Sequence, residues 1–486
     1  MFDKHHKKES PTFTGITRGV GGFGFGAAAG GDIQISEEYW IGIFGSNTGG
    51  GAQKRAHCQG TTVDSSGNVY VAGYTNNTPS GNYGVLIVKI DMSGVLQWQR
   101  IWGSTGSDEG WDITIDNSDN IYVVGDGDSG GSGALILKYN TSGVLQWSRY
   151  FGSSNYKAYG VDFDNDGNIY ICGATSTSGN GDAYIAKCNS SGTIQWHRTL
   201  EASGTTYGRA DDLVVDRNND VLYMCGSAKS ASSYTTNTDA TLVKYNLSGS
   251  LQWQKSWSGS SDYADSSQGV VVDSSGNVYV AGKTLQLAAS NPGGSGYSNT
   301  DGFLVKYNSS GVFQSDITFG GMSNDESNSI VINNQDTLFV CGETGSGDSI
   351  YNTGNHGLIM RFTTGFYSPW QRGLGDSGTG KGTEDIVVDD QNVAIYTAGT
   401  TTDSGPGDYN GIVTKLPLDG TGTGAYDTPN LDYYVEPWNP TSSFSATHST
   451  ATMSDLDAGT NQQSNPSPDP SDFAGSFTFT LYNISL

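Results

Sequence analysis

The chain has 486 residues, 70 of them glycine, with 24 basic against 49 acidic residues and a formal net charge of -25. That balance argues against nucleic-acid binding, since gripping phosphates needs clustered Lys and Arg. Only 15% of residues are charged while 11% are aromatic, which argues against a disordered chain, and no apolar run reaches the roughly 18 residues of a membrane-spanning helix.

The first 38 residues differ from the rest. "MFDKHHKKESPTFTGITRGVGGFGFGAAAGG" holds Lys4, Lys7, Lys8 and Arg18, then a Gly-rich run. No apolar stretch of the secretory kind follows the bases. With neither helical nor strand periodicity, residues 1–38 are expected to form a flexible, basic anchoring arm. Such an arm can order along a partner's groove, with Phe2, Phe13, Ile16, Phe23 and Phe25 as plugs and the four bases as clamps. "GVGGFG" at 19–24 has the glycine spacing of a dinucleotide loop but no preceding strand.

"YWIGIFG" at 39–45 reads as a strand, and a longer pattern then begins. "NVYVAG" at 68–73 returns in variant form six more times, ending at Gly125, Gly173, Gly226, Gly282, Gly342 and Gly399. The glycine spacings are 52, 48, 53, 56, 60 and 57 residues, which is one supersecondary unit with loops of varying length. Each unit predicts four strands. The first ends in Asp64, Asp116, Asp164, Asp216, Asp273, Asn333 or Asp389 and runs into a tight turn. The second is the hexapeptide, with an aromatic residue at Tyr70, Tyr122, Tyr170, Tyr223, Tyr279, Phe339 or Tyr396. The third ends in a base, as in "LIVKI" with Lys89. The fourth carries Trp98, Trp147, Trp196, Trp253 or Trp370, but the fifth unit has Ser315 there.

Four strands per repeat, with inner strands apolar on both faces, predict blades stacked in a ring. The seventh unit stops after its third strand, and residues 39–45 match a fourth strand. Trp40, Ile41, Ile43 and Phe44 are therefore expected to complete the last blade and close the ring, leaving no frayed edge. The unit "VDSSGNVYVAGYT…LIVKIDMSGVLQW" resembles the SBBP β-propeller repeats of bacteria and phages. The expected fold is all-β: a seven-bladed β-propeller of four-stranded blades over 39–425, a flexible N-terminal arm, and a small C-terminal β appendage. The C-terminal extension, 426–486, lacks the repeat, passes through "NPSPDPSD", and ends in a run that reads as a strand, "FTFTLYNISL".

Candidate chemistry is sparse. Asp162, Asp164 and Asp166 have calcium-loop spacing, but Gly173 stands where the closing Glu belongs, and a turn is the better reading. "GDSGG" around Ser129 resembles a nucleophile elbow without the strand-to-helix turn that makes one. The six histidines form no zinc-binding pair. Cys172, Cys225 and Cys341 occupy a slot filled by Val or Ala in other repeats and are expected to be packing residues. The recurring Trp are likewise read as packing. Binding is assigned to the loops after the second strands, at 74–84, 227–239, 283–301 and 343–357, whose Ser, Asn, Thr, Gly and Tyr suit adaptable recognition. No cofactor and no enzymatic activity are expected.

"KKESPTFTGITRGVGGFGFG" is similar to short anchoring heads of virion proteins from tailed phages of marine bacteria. That resemblance implies a structural virion protein, tail-associated or fibre-like, made in the host cytoplasm. It would be present in multiple copies of a symmetric assembly, docked to other virion proteins by its arm. Its propeller loops would present a surface to host glycan or protein. The alternatives are a propeller-based polysaccharide-degrading enzyme, which needs unrepeated acids or His around one pocket, and a bacterial surface or scaffold binding protein.

Overall fold

The computed structural model describes residues 39–45, 55–103, 106–128, 132–176, 181–201, 208–229, 238–258, 264–287, 298–320, 324–345, 356–368, 370–374, 381–401 and 409–420, together with six short strands beyond residue 423. The docking residues expected in 1–38 and the Ser129 loop lie outside the described residues. The described residues form strands and turns, without a helix, and so contain no helix long and apolar enough to cross a membrane.

Seven antiparallel sheets follow one another along the chain. Blade I, for example, pairs Ala56–Val63, Val69–Thr75, Gly84–Ile90 and Leu96–Trp102 in order. Blades II to VI repeat this, with innermost strands Glu109–Ile115, Lys157–Phe163, Gly208–Asp216, Asp265–Val272 and Asp325–Ile332. Blade VII consists of Lys381–Asp389, Ala394–Thr401 and Asn410–Pro417, then Tyr39–Gly45. Trp40 pairs with Lys415 and Phe44 with Gly411, the register in which Trp98 pairs with Lys89. The N-terminal strand thus closes the ring. Trp40 and Ile41 are fully buried, and Ile43 is half-buried.

Seven apolar clusters hold the blades together, one between each neighbouring pair. Both faces of each inner strand are therefore consumed, which is why the strands read as unbroken apolar runs. All five cysteines are free and buried, and Cys58, Cys172, Cys188, Cys225 and Cys341 each belong to one of these clusters.

The recurring Asp is the keystone of the first turn. Asp64 Oδ1 accepts the backbone N–H of Ser66 and of Asn68, both at 2.9 Å, and Oδ2 accepts the Tyr70 hydroxyl at 3.0 Å. Asp116, Asp164 and Asp273 repeat the arrangement with Tyr122, Tyr170 and Tyr279. Burial pushes the Asp64 and Asp164 carboxyls up, but these donors outweigh it and hold both below the ordinary value.

The recurring Trp staples one blade to the next. The indole N–H of Trp98, Trp196 and Trp253 donates to the carbonyls of Thr141, Leu247 and Ser309 in the following blade. Each ring lies against a positive-φ glycine of that turn (Gly143, Gly249 or Gly311), where a Cβ would strike the indole. Blade V, with Ser315, has no such ring. The matching turn of blade VI holds Phe366, a buried aromatic residue at φ 61° in the glycine position.

Residues beyond 423 add strands to the outer edges of the blades. Gly424–Ala425 and Asp432–Val435 extend blade VI, Thr447–Thr450 blade IV and Ser454–Asp457 blade III. Phe473–Ala474 extends blade I, and Thr478–Ile484 pairs with Tyr39–Gly45 in blade VII. The extension visits the blades in the reverse of their chain order, once around the ring.

Candidate functional site at the mouth of the axial channel

Every innermost strand carries a β-bulge at one slot. The pairing register slips by one residue at Gln59, Trp111, Tyr159, Asp211, Gln268, Asn328 and Glu384. A bulge leaves its extra residue outside the ladder and re-aims the side chain. All seven of these residues line a single cavity of about 320 Å³ at the ring axis. The bulge also explains the glycine that ends each hexapeptide. It presses an inner-strand carbonyl onto the second strand, so a Cβ at Gly73, Gly125 or Gly173 would overlap the carbonyl oxygen of His57, Glu109 or Lys157.

The mouth is divided by chemistry. From blade VII to blade III runs a chain of ring contacts. Tyr409 lies 5.1 Å from His57, and His57 stacks on Tyr74 at 4.6 Å. Tyr74 lies 5.8 Å from Trp111, and Trp111 lies 5.7 Å from Tyr159. Arg209 ends the series, its guanidinium 4.0 Å from the Tyr159 centroid and its Nε 2.5 Å from Asp211 Oδ1. Blades V to VII supply Gln268, Asn328 and Glu384 instead. Lys283 sits 2.7 Å from Glu326 beside them, and Lys157 bridges Asp126 at 3.1 Å and Glu109 at 3.7 Å.

Below the bulges, carboxylates sew the inner strands together. Asp112 Oδ2 accepts Val161 N–H at 2.8 Å, Asp212 Oδ2 accepts Val270 N–H at 2.9 Å, and Asp385 Oδ2 accepts Thr61 N–H at 2.6 Å. The last of these joins blade VII to blade I. Desolvation lifts all three carboxyls: Asp212 to about 7, Asp385 to about 6, and Asp112 well above the ordinary range, with Asp385 and Asp212 as charged neighbours. Glu384 is raised to about 7 by burial and by Glu343, against the opposing charge of Lys283.

The structure places the three calcium-spaced acids apart in role. Asp162 faces the channel, where it accepts Val215 N–H at 2.8 Å and pairs with Arg217. Asp164 serves its turn and meets Lys187 at 3.2 Å, and Asp166 donates its own N–H to Asp164. Among the described residues no group of three or more His, Cys, Asp or Glu is placed to hold a metal ion. Of the expected recognition loops, 74–84 is described and supplies Tyr74 and Tyr83, while most of the other three lies outside the described residues. The bulge residues were not singled out from the sequence. Their signal is positional: each stands five residues before the recurring Asp or Asn.

The model of the SBBP beta-propeller repeat matches residues 40–79, 146–182 and 259–285. Those three segments are SBBP-type β-propeller repeats. No curated protein matches it. Among solved structures, the chain is similar to the polysaccharide lyase Uly1 at 10% identity, covering 79% of this chain and 98% of that one with a TM-score of 0.47. Sqt1 from Chaetomium thermophilum matches at 8% identity over 75% and 95% of the two chains, with a TM-score of 0.43. A protein of unknown function from Dyadobacter fermentans matches at 10% identity over 78% and 100%, with a TM-score of 0.41.

Proposed function

We propose that the SBBP propeller is a non-catalytic carbohydrate-binding component of a tailed-phage virion. It is made in the host cytoplasm, assembled in several copies, and docked to other virion proteins through residues 1–38. Host glycan is held at the mouth of the axial channel. The observation that carries the binding reading is the division of that mouth. Trp111 and Tyr159 line one side with aromatic rings, and Gln268, Asn328 and Glu384 line the other with amides and a carboxylate. A sugar ring presents an apolar C–H face and a rim of hydroxyls, and such a pocket meets both at once. The channel aspartates are engaged by backbone donors of adjacent blades, which supports a binding role over a catalytic one. The virion assignment rests on the Phe- and Lys-bearing sequence of residues 1–38.

A second reading, a polysaccharide-degrading propeller, is favoured by Glu384, whose carboxyl near 7 is suited to giving or taking a proton. Two measurements separate the readings. Particle mass spectrometry with and without residues 1–38 is expected to find only the longer chain in virions. A glycan array is expected to show binding that Trp111→Ala weakens by at least about tenfold, with no shortening of the bound glycan. Absence of the full chain from every particle overturns the virion assignment and leaves a bacterial surface or scaffold binder. Shortened glycan with activity lost in Glu384→Gln overturns the non-catalytic reading.

A further inference from the structure

We propose that the axial cavity takes the end of a glycan chain, inserted along the ring axis, rather than an internal stretch laid across the mouth. The proposal rests on the carbohydrate reading above and narrows it to a chain terminus. Shape is the first argument. All seven blades line the cavity, so it is walled on every side of the axis. On blade II the lining runs from Trp111 down to Thr114, on blade VI from Asn328 to Val331, and on blade VII from Glu384 to Val387. Three residues of strand cover about 10 Å. The cavity is therefore a shaft that continues below the bulges, not a dish at their level. An internal stretch of polysaccharide carries a neighbour on each side and can only cross such an opening, whereas a terminal unit can descend into it. At about 320 Å³ the space is near the lower end of ligand pockets, which suits one or two rings and excludes a long segment.

The second argument is which polar groups are left to receive a ligand. The channel carboxylates are spent. Asp112 Oδ1 accepts Ile113 N–H at 2.7 Å and Asp212 Oδ1 accepts Leu213 N–H at 2.7 Å, in addition to the bonds that their Oδ2 atoms make to the next blade. Asp162 Oδ1 likewise accepts Phe163 N–H at 2.8 Å, and Asp385 Oδ1 accepts the Ser329 hydroxyl at 2.6 Å. Three neutral groups are not spent. Gln59, Thr62 and Thr114 line the cavity half-buried, and among the described residues their side chains have no hydrogen-bond partner. Gln59 stands at the level of the bulges, and Thr62 and Thr114 stand three residues deeper, in matching places on blades I and II. Amide and hydroxyl groups at two depths of one wall match a ligand whose own hydroxyls recur along its length. Val331 and Val387 stand at the depth of the two threonines on blades VI and VII, where the C–H face of a ring can lie.

The test is a glycan array printed in both orientations, each glycan attached once through its reducing end and once through its non-reducing end, and probed with the full chain. Every glycan that binds is expected to do so at least about tenfold more tightly in one orientation than in the other. Thr114→Phe, checked for an unchanged melting temperature, fills the lower shaft and is expected to weaken that binding by at least about tenfold. Thr114→Val, which keeps the size and removes only the hydroxyl, is expected to weaken it about threefold to tenfold, and decides the matter if the phenylalanine variant does not fold. Equal binding in both orientations overturns end-on insertion while leaving carbohydrate binding intact. So does binding that neither Thr114 variant disturbs but Trp111→Ala abolishes, because the ligand then stays at the level of the mouth. If no glycan binds in either orientation, the carbohydrate reading falls and the insertion with it.

Discussion

Aspartate is used in two opposite ways in this protein, and the difference is one of address. Asp64 and Asp164 sit at turns where backbone N–H groups, an Asn amide and a Tyr hydroxyl converge on the charged form. Asp112, Asp212 and Asp385 face the narrow axial channel, where desolvation dominates and the proton is held more tightly than in the unfolded chain. The two sets oppose each other in pH dependence. The turn carboxylates, depressed on folding, contribute stability above their unfolded value and lose it only as acid protonates them. The channel carboxyls, raised on folding, contribute stability below an unfolded value of about 4 and lose it as pH rises through about 6 to 7. The melting temperature is therefore expected to fall between pH 5 and pH 8. Asp212→Asn, which keeps an acceptor for Val270 N–H but cannot ionise, is expected to flatten that fall. A melting series by circular dichroism across this range checks it, and an equally steep fall in the variant would refute the assignment.

At the scale of the strand, the inner-strand bulge and the glycine of the neighbouring strand are one device. The glycine was legible because it recurs in all seven units, and so was the strand it ends. The bulge was not legible, because no single residue type or chemistry holds its slot: Gln59, Trp111, Tyr159, Asp211, Gln268, Asn328, Glu384. Repetition exposes what the fold requires, whereas a site built from one residue per blade looks like noise within the repeat. The exchange between blades V and VI was half visible in the same way. Ser315 was seen as a departure, but its complement, Phe366, lies one blade further on in a turn whose other versions hold glycine. Phe366 packs near Tyr279, 6.1 Å between rings, in the cluster joining these blades. Phe366→Gly alone is expected to cost about 2–4 kcal/mol, since losing a buried phenyl outweighs relief of the positive φ. Adding Ser315→Trp restores the pairing used elsewhere and is expected to recover at least about 1 kcal/mol by double-mutant cycle in urea unfolding. Additive losses would show that the two positions do not compensate.

At the scale of the whole ring, closure happens more than once. Tyr39–Gly45 completes blade VII, Asp385 reaches across to Thr61 of blade I, and the C-terminal strands revisit blades VI, IV, III, I and VII. Sequence patterning exposed the first of these because residues 39–45 copy the fourth-strand motif. The circuit of the C-terminal strands left no comparable trace, since edge strands four residues long, such as Thr447–Thr450, pair through backbone and need no shared motif. Removing residues 424–486 opens the outer edges of five blades and is expected to lower the melting temperature by at least about 5 °C, measured by scanning calorimetry. An unchanged transition would mean that these strands add nothing to the ring.

The same arrangement gives the chain a mechanical grip. Tyr39–Gly45 lies between two antiparallel strands, Asn410–Pro417 on one side and Thr478–Ile484 on the other. A pull applied at residue 39 along the strand loads both hydrogen-bond ladders in shear, so the bonds resist together instead of opening one by one. Whatever takes hold of this chain ahead of residue 39 is thereby coupled to the most doubly secured strand of the ring, and tension reaches the propeller without a weak link at its point of entry.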